Sequence, residues 1–246
     1  MSAWLHRVAA TPAGVGAAST LRGSDADPFD LGTAVEPPEA VDERRARFAK
    51  AIGAQPQWLR QVHGTRVVRL LPGASAIDEA DACWTTEPHI ACAVLVADCL
   101  PVLLATRDGR AVAAAHAGWR GLAAGVLEHT VEALHEGAGA QPDELWAWLG
   151  PCIGPRQFEV GRDVLEAFAG FDQHFVPRAR PDGSARWLAD LPSIAAARLR
   201  AIGVHDLHID GRCTFEQRSD FFSFRRDGRT GRMAAAVWRD IGNHGR

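Results

Sequence analysis

Three side chains that bind metals or act as nucleophiles lie at the ends of strands predicted from this sequence. His63 follows an alternation of polar and apolar residues, Cys99 follows a long apolar run, and His116 ends a second run. Functional residues often lie where a strand gives way to a loop. Two imidazoles and a thiolate are a ligand set for zinc that leaves a fourth position open to water or substrate, as in catalytic sites. These residue types therefore indicate a catalytic metal centre.

The spacing of these residues leaves other interpretations open, because local zinc signatures are close pairs and this set comes together only on folding. Cys99 can be a small buried apolar residue beside two hydrogen-bonded turn histidines. Alternatively, a Cys99 thiolate activated by His63 or His116 is a nucleophile–base pair. Asp81 and Asp98 are candidate acids or partners that orient a ligand imidazole, although carboxylates in turns often cap the backbone.

Arginine side chains in or beside predicted turns are candidate contacts for an anionic substrate. Arg120 is favoured among them, because Gly118 and Trp119 place it at the start of a predicted helix, where free N–H groups also attract an anion. The other candidates are Arg22, Arg45, Arg225 and Arg226. Each of these is also consistent with an ordinary solvated surface charge.

Apolar runs and apolar periodicity predict strands and helices on both sides of these residues. Strands are expected at 58–71 (two strands around His63), 90–97, 102–104, 111–115, 145–149, 207–209 and 233–238. Helices are expected at 41–52, 122–134, 163–168 and 188–202, and the first forty residues are expected to form loops around one short strand. The mixture of strands and helices without an internal repeat predicts a single α+β domain.

Composition limits the classes of protein that the chain can belong to. Its 246 residues are 47% apolar and 23% charged, which is typical of one globular domain. A net charge of −3 argues against nucleic acid as the main partner, and no apolar stretch approaches the ~20 residues that cross a membrane. The first residues lack the pattern of a signal peptide, and five widely spaced cysteines are expected to be reduced thiols in the cytoplasm.

Five motifs together resemble the laccase-domain family of the YfiH type, over almost the whole chain from about Gly14 to Trp238. They are Gln61–Gly64, Ala97–Val102, His116–Gly121, Gly150–Gly154 and Phe221–Asp227. The resemblance implies one domain over residues 1–246, an αββα-layered sandwich of mixed sheets with flanking helices and about 13 peripheral residues at its N-terminus. It also implies that His63, Cys99 and His116 bind one zinc ion.

The chain departs from the family pattern at three places. Asp30 stands where members tend to carry Asn, Arg44-Arg45 replaces an Asn-Arg pair, and Phe224 replaces a Tyr. The ligands are unaffected by these changes. Contacts between substrate and Arg45 or Arg225 depend on them.

Members of the family have been called polyphenol oxidases, peptidoglycan editing factors and purine nucleoside phosphorylases. A multicopper oxidase needs His-x-His pairs and usually a Met ligand, whereas this chain has no such pair and only two methionines. Blue-oxidase chemistry is therefore not expected, although one copper ion at the His–Cys–His site in vitro would allow weak oxidation. The activity implied by the resemblance is phosphorolysis of adenosine, inosine or guanosine to free base and ribose 1-phosphate, with deamination of adenosine as a further reaction at the same metal.

Each candidate residue has an expected role in that reaction. Zinc on the three ligands holds phosphate or water, and Asp98 or Asp81 orients an imidazole. Arg120, and with it Arg45 and Arg225, offsets phosphate charge. Two rival functions are a cysteine amidohydrolase that edits peptidoglycan precursors through Cys99 and an interaction protein without catalysis.

Overall fold

Long runs of Ala, Val and Leu form the central strands, because a strand covered on both faces needs apolar residues at successive positions. The computed structural model describes residues 3–73 and 77–240. The strands are β1 (Leu5–Arg7), β2 (Val15–Thr20), β3 (Gln55–Gln57), β4 (Leu59–Arg60), β5 (Val67–Arg69), β6 (Ile77–Glu79), β7 (Ala82–Thr85), β8 (Ile90–Val96), β9 (Leu100–Thr106), β10 (Val112–Ala117), β11 (Leu145–Leu149), β12 (Glu159–Val160), β13 (Phe175–Ala179), β14 (Ala185–Ala189), β15 (Asp206–Ile209) and β16 (Met233–Arg239). The α-helices are α1 (Pro38–Ile52), α2 (Trp119–Ala124), α3 (Val126–Ala138), α4 (Arg162–Ala167), α5 (Leu191–Ala201) and α6 (Phe224–Asp227).

Two mixed sheets stack face to face and enclose the central core. One has the strand order β1-β2-β16-β8-β3, and the other has the order β15-β11-β9-β10-β7-β5. Alternate residues of β8 show the two faces: Cys92 and Val94 pack toward the second sheet, while Ala91 and Ala93 face outward. Trp146 of β11 packs into the core between the sheets. Successive residues of a strand point to opposite faces, so both faces of the central strands are buried.

Helices cover the outer face of each sheet. Leu134 of α3 and Leu199 of α5 pack on the six-stranded sheet, and Phe48 and Ile52 of α1 pack on the five-stranded sheet beside Trp238. The layers thus run helix, sheet, sheet, helix, which confirms the predicted α+β, αββα-layered fold. Smaller sheets of β12-β14-β13 and β4-β6 complete the single domain.

The strand register brings distant parts of the chain to one edge of the six-stranded sheet. Strands β9 and β10 pair antiparallel with Ala117 opposite Leu100, so Cys99 lies beside the end of β10. On its other side β10 pairs with β7, with Ala115 opposite Ala82, which places Asp81 next to His116. The loop between β4 and β5 carries His63 to the same edge.

The structure corrects several predicted boundaries. Two strands, β1 and β2, form in the first forty residues where one was expected, and β1 lies at the edge of its sheet. The helix predicted at 188–202 begins only at Leu191, because residues 185–189 pair as β14. The helix predicted at 122–134 is divided by Gly125, whose φ of 99° ends α2 before α3 begins. The ends of the expected domain, residues 1–2 and 241–246, lie outside the described residues. Among the residues described, no helix combines the length and apolarity needed to cross a membrane.

Candidate metal centre and cavity

His63, Cys99 and His116 come together at this sheet edge. One ligand atom from each lies within 4.8 Å of the others, so the three side chains could hold a metal ion. The Cys99 Sγ is 3.7 Å from the His63 Nε2, and the two imidazole rings meet edge to face. His63 is exposed, Cys99 is half-buried and His116 is only 3% exposed. The group is therefore anchored in the core on one side and accessible on the other.

The Asp81 carboxylate fixes two of these three residues. Its Oδ1 accepts hydrogen bonds from the His116 Nδ1 at 2.8 Å and from the His63 backbone N–H at 2.9 Å. Its Oδ2 accepts from the backbone N–H groups of Val62 at 3.1 Å and Gly64 at 2.7 Å. With Nδ1 bonded to Asp81, the Nε2 of His116 is the atom that would bind a metal once its proton is lost, which is the usual carboxylate–histidine arrangement at metal sites.

The backbone at the centre is held in uncommon conformations. His63 has a φ of 62°, in the left-handed region that non-glycine residues seldom adopt, and its own N–H is bonded to Asp81. Gly118 leaves room for the ligands, since a Cβ there would lie 2.8 Å from the His63 Cδ2 and 3.1 Å from the Cys99 Sγ. The close approach of β10 to the His63 loop therefore requires glycine at position 118.

Charge coupling keeps the Cys99 thiol ionised. Burial raises the pKa of Cys99, but the positive charge of His116 and hydrogen bonds from both imidazoles outweigh burial and lower that pKa to about 6. Burial likewise lowers the pKa of His116, but the Cys99 thiolate and the Asp81 carboxylate raise it to about 9. At neutral pH the two side chains form a thiolate–imidazolium pair. The thiolate is the form of cysteine that binds metals and acts as a nucleophile.

Asp98, the second candidate partner of an imidazole, is bonded elsewhere. Its Oδ1 accepts from the Thr214 hydroxyl at 2.6 Å, and its Oδ2 accepts from the Ser223 hydroxyl at 3.0 Å and the Arg225 backbone N–H at 2.7 Å. The carboxylate thus ties the turn before Cys99 to the start of α6. Asp81, rather than Asp98, is the carboxylate bonded to the His116 ring.

A cavity of about 560 Å³ opens beside His63, Cys99 and His116. Apolar residues form much of its wall: Leu59, Leu95, Ala97, Trp119, Ile153, Phe158, Leu191 and Phe224. Arg120, Arg225 and Arg232 also line it, and the Arg120 guanidinium lies over the ring of Trp119 at 4.3 Å. The cavity is large enough for a small organic molecule and combines an apolar wall with cationic groups.

The other candidate arginines are placed differently. Arg45 is absent from the cavity wall, and its guanidinium donates to the Leu31 carbonyl and lies over the ring of Trp58. Arg225 lines the cavity but donates to the Glu159 carbonyl. Arg232 was not among the candidates from the sequence, because neither its spacing nor its neighbours distinguish it from a surface arginine.

The centre uses the most accessible thiol of the chain. Cys83, Cys92, Cys152 and Cys213 are free and buried, whereas Cys99 is half-buried. Burial raises the pKa of Cys152 well above its ordinary value, so its thiol stays protonated. Cys152 is only 2% exposed and packs in the hydrophobic core.

The fold and the site together define a single-domain α+β protein with one His–Cys–His group that can hold a metal beside an open cavity. Residues 17–240 match a family described as multi-copper polyphenol oxidoreductase laccase. The chain belongs to this family.

Named relatives and solved structures agree with this assignment. A purine nucleoside phosphorylase of Pseudomonas aeruginosa is 48% identical, over 97% of this chain and 99% of the relative. The purine nucleoside phosphorylase YfiH of Escherichia coli is 44% identical, over 92% of this chain and 95% of the relative. A crystal structure of a Neisseria meningitidis protein superposes with a TM-score of 0.88 at 39% identity, covering 96% of this chain and 99% of that one.

Proposed function

We propose that this protein is a zinc-dependent purine nucleoside phosphorylase that cleaves adenosine, inosine or guanosine with phosphate. The proposal rests above all on the open His63–Cys99–His116 group beside a cavity of nucleoside size. Relatives named purine nucleoside phosphorylase align over nearly their whole length. The proposed compartment is the cytoplasm, since five free thiols suit a reducing environment.

The donor atoms of the centre fit zinc. Two imidazole nitrogens and a thiolate are borderline to soft ligands, and their low number suits a catalytic ion with an open position. His63, Cys99 and His116 would hold the ion, and the carboxylate of Asp81 would orient His116. When bound, zinc would supply Lewis-acid stabilisation of negative charge on oxygen. Copper could occupy the same three ligands in vitro, but the chain lacks the further histidine pairs of a multicopper cluster.

The protein side chains position the two reactants. The Arg120 guanidinium on the cavity wall offsets the charge of phosphate, and its fork suits two phosphate oxygens. Arg225 lines the same cavity and adds positive charge there. Apolar residues such as Ile153 and Phe158 form the part of the wall against which the uncharged nucleoside would pack. The bond from an oxygen of hydrogen phosphate to C1′ forms as the bond from C1′ to the base breaks, and the base leaves with that electron pair and gains the proton that the phosphate loses.

Chromatography of the products tests the proposal. Zinc-loaded protein with adenosine and phosphate should give adenine and ribose 1-phosphate, and omission of phosphate should abolish adenine release. Inosine and ammonia in place of adenine would identify adenosine deamination, the further reaction proposed at the same site. No conversion of adenosine, inosine or guanosine by zinc-loaded protein would refute the proposal.

A cysteine amidohydrolase is the second candidate, and the Cys99 thiolate favours it. The thiolate lies beside two imidazoles, which is the pairing of a nucleophile with a base. Hydrolysis of a peptidoglycan precursor amide that persists after removal of metal by a chelator would support this candidate. Loss of all turnover with the metal would exclude it.

A further inference from the structure

Phe224 is an aromatic side chain left open to solvent in the cavity wall. It is 58% exposed although burial of a Phe is favourable by about 1.5–3 kcal/mol. The large apolar side chains exposed in the described residues are Val35, Val62, Leu71, Val176, Ile209 and Phe224. Phe224 is the one aromatic residue in that set and the one member that lines the cavity.

Hydrogen bonds on both sides of Phe224 fix its backbone. The Ser223 hydroxyl and the Arg225 N–H both donate to the Asp98 carboxylate, which directly precedes the ligand Cys99. Arg226 adds bonds from its guanidinium to the carbonyls of Thr214, Phe215 and Phe221. The exposed ring is therefore held at a set place near the metal ligands rather than carried on a loose loop.

The faces of the Phe224 ring have no stacking partner within the part of the chain that the structure describes. The neighbouring Arg225 guanidinium lies over Phe158 instead, 5.4 Å from its centroid. An aromatic ring with a free face in a cavity is suited to a flat heterocycle, because stacking removes both faces from water and matches their charge distributions. The five other exposed apolar side chains are aliphatic and cannot stack in this way.

We propose that Phe224 stacks on the base of the nucleoside and thereby determines how tightly purine nucleosides bind. The inference rests on the proposed function, because a purine is the flat part of the proposed substrate. The sugar would then lie between the ring of Phe224 and the ligands His63, Cys99 and His116. Asp98, through its bonds to the residues on both sides of Phe224, is a positioning residue for this stack.

Equilibrium dialysis of adenosine against the zinc-loaded protein, without phosphate, tests the stack directly. Phe224→Ala should weaken adenosine binding roughly tenfold, since removal of one base–aromatic stack costs of that order. Phe224→Tyr should bind as the wild type does, because it keeps the flat ring. Phe224→Leu is apolar but not flat and should resemble the alanine variant. Val176→Ala is the matched control, because Val176 is 61% exposed and lies outside the cavity wall.

The binding measurement separates this inference from the proposed reaction. Weaker binding by Phe224→Ala and Phe224→Leu supports stacking even if no variant releases adenine, an outcome in which the proposed function would fail alone. Equal binding of adenosine by Phe224→Ala and the wild type, or no binding by the wild type, overturns the inference that Phe224 stacks on the base. Where turnover occurs, the same variants should raise the KM for adenosine and leave the KM for phosphate and the zinc content unchanged.

Discussion

Replacement of Asp81 by Asn should lower both the stability of the metal-free protein and the affinity of the centre for zinc. The carboxylate accepts four hydrogen bonds, two on each oxygen. An amide of the same size offers one oxygen and one NH₂ group, so in either orientation two donors lose their acceptor. If the amide oxygen keeps His63 and His116, then the N–H groups of Val62 and Gly64 face the NH₂ group.

The size of the effect follows from these lost bonds. Each hydrogen bond to a charged group contributes about 1.5–3 kcal/mol, so the loss of two gives about 3–6 kcal/mol of destabilisation without metal. Loss of the carboxylate partner of a metal-binding histidine typically costs 10–100-fold in affinity, and we expect Asp81→Asn to lower zinc affinity by about that factor. Denaturant unfolding of the metal-free protein measures the first quantity. Competition between the protein and a zinc chelator measures the second.

Asp98→Asn is the matched control for Asp81→Asn. Asp98 also accepts several hydrogen bonds, but none of them comes from a ligand side chain or from the His63 loop. The Asp98→Asn variant should lose stability in a similar way to Asp81→Asn, while its zinc affinity changes by less than about tenfold. Wild-type zinc affinity in a folded Asp81→Asn protein would refute the role of Asp81 as the residue that orients His116.

Three further predictions concern the centre and the cavity. Protein purified without added metal should contain about one zinc per chain by elemental analysis. Cys99→Ser should lose most of this zinc and most nucleoside turnover, while its circular dichroism spectrum stays unchanged. Cys152→Ser should keep both the zinc and the turnover, because the Cys152 thiol is buried and protonated. Arg120→Ala should raise the KM for phosphate roughly 10–100-fold and that for adenosine less, with partial recovery in Arg120→Lys, and equal changes in both constants would contradict phosphate binding. Gly118→Ala should lower zinc affinity in a chelator titration, because its Cβ would lie 2.8 Å from the His63 ring, and unchanged affinity would show that the loop moves freely.

The sequence predicts the positions of Cys99 and His116 in the fold, because both residues adjoin or end strands with strong apolar signals. The runs that form β8, β9 and β10 are apolar at almost every position and are buried at every position except Leu95. Once such strands are placed at the middle of a sheet, the positions of Cys99 and His116 are fixed, because these residues lie at the strand ends. The helix α3 is similarly marked by regular apolar spacing.

The remaining features depend on tertiary contacts that leave little trace in local sequence. The strands β12, β13 and β14 are short, and β13 is exposed at four of its five positions although most of its residues are apolar. Local sequence does not show whether Arg45 or Arg232 lines the cavity. The packing of α1 directs Arg45 to Leu31 and Trp58, while Arg232 reaches the cavity. Whether Asp81 or Asp98 meets His116 likewise depends on the pairing of β7 with β10.

His63, Cys99 and His116 are far apart in the chain, since Cys99 alone lies 36 positions after His63, and they meet only through the pairing of β9 with β10 and of β10 with β7. An unfolded chain therefore has no comparable binding site, and every gain in free energy from metal binding stabilises the native state. Removal of zinc should consequently lower the free energy of unfolding of the protein. A core substitution that loosens the β9–β10 pairing would reduce zinc affinity without touching a ligand.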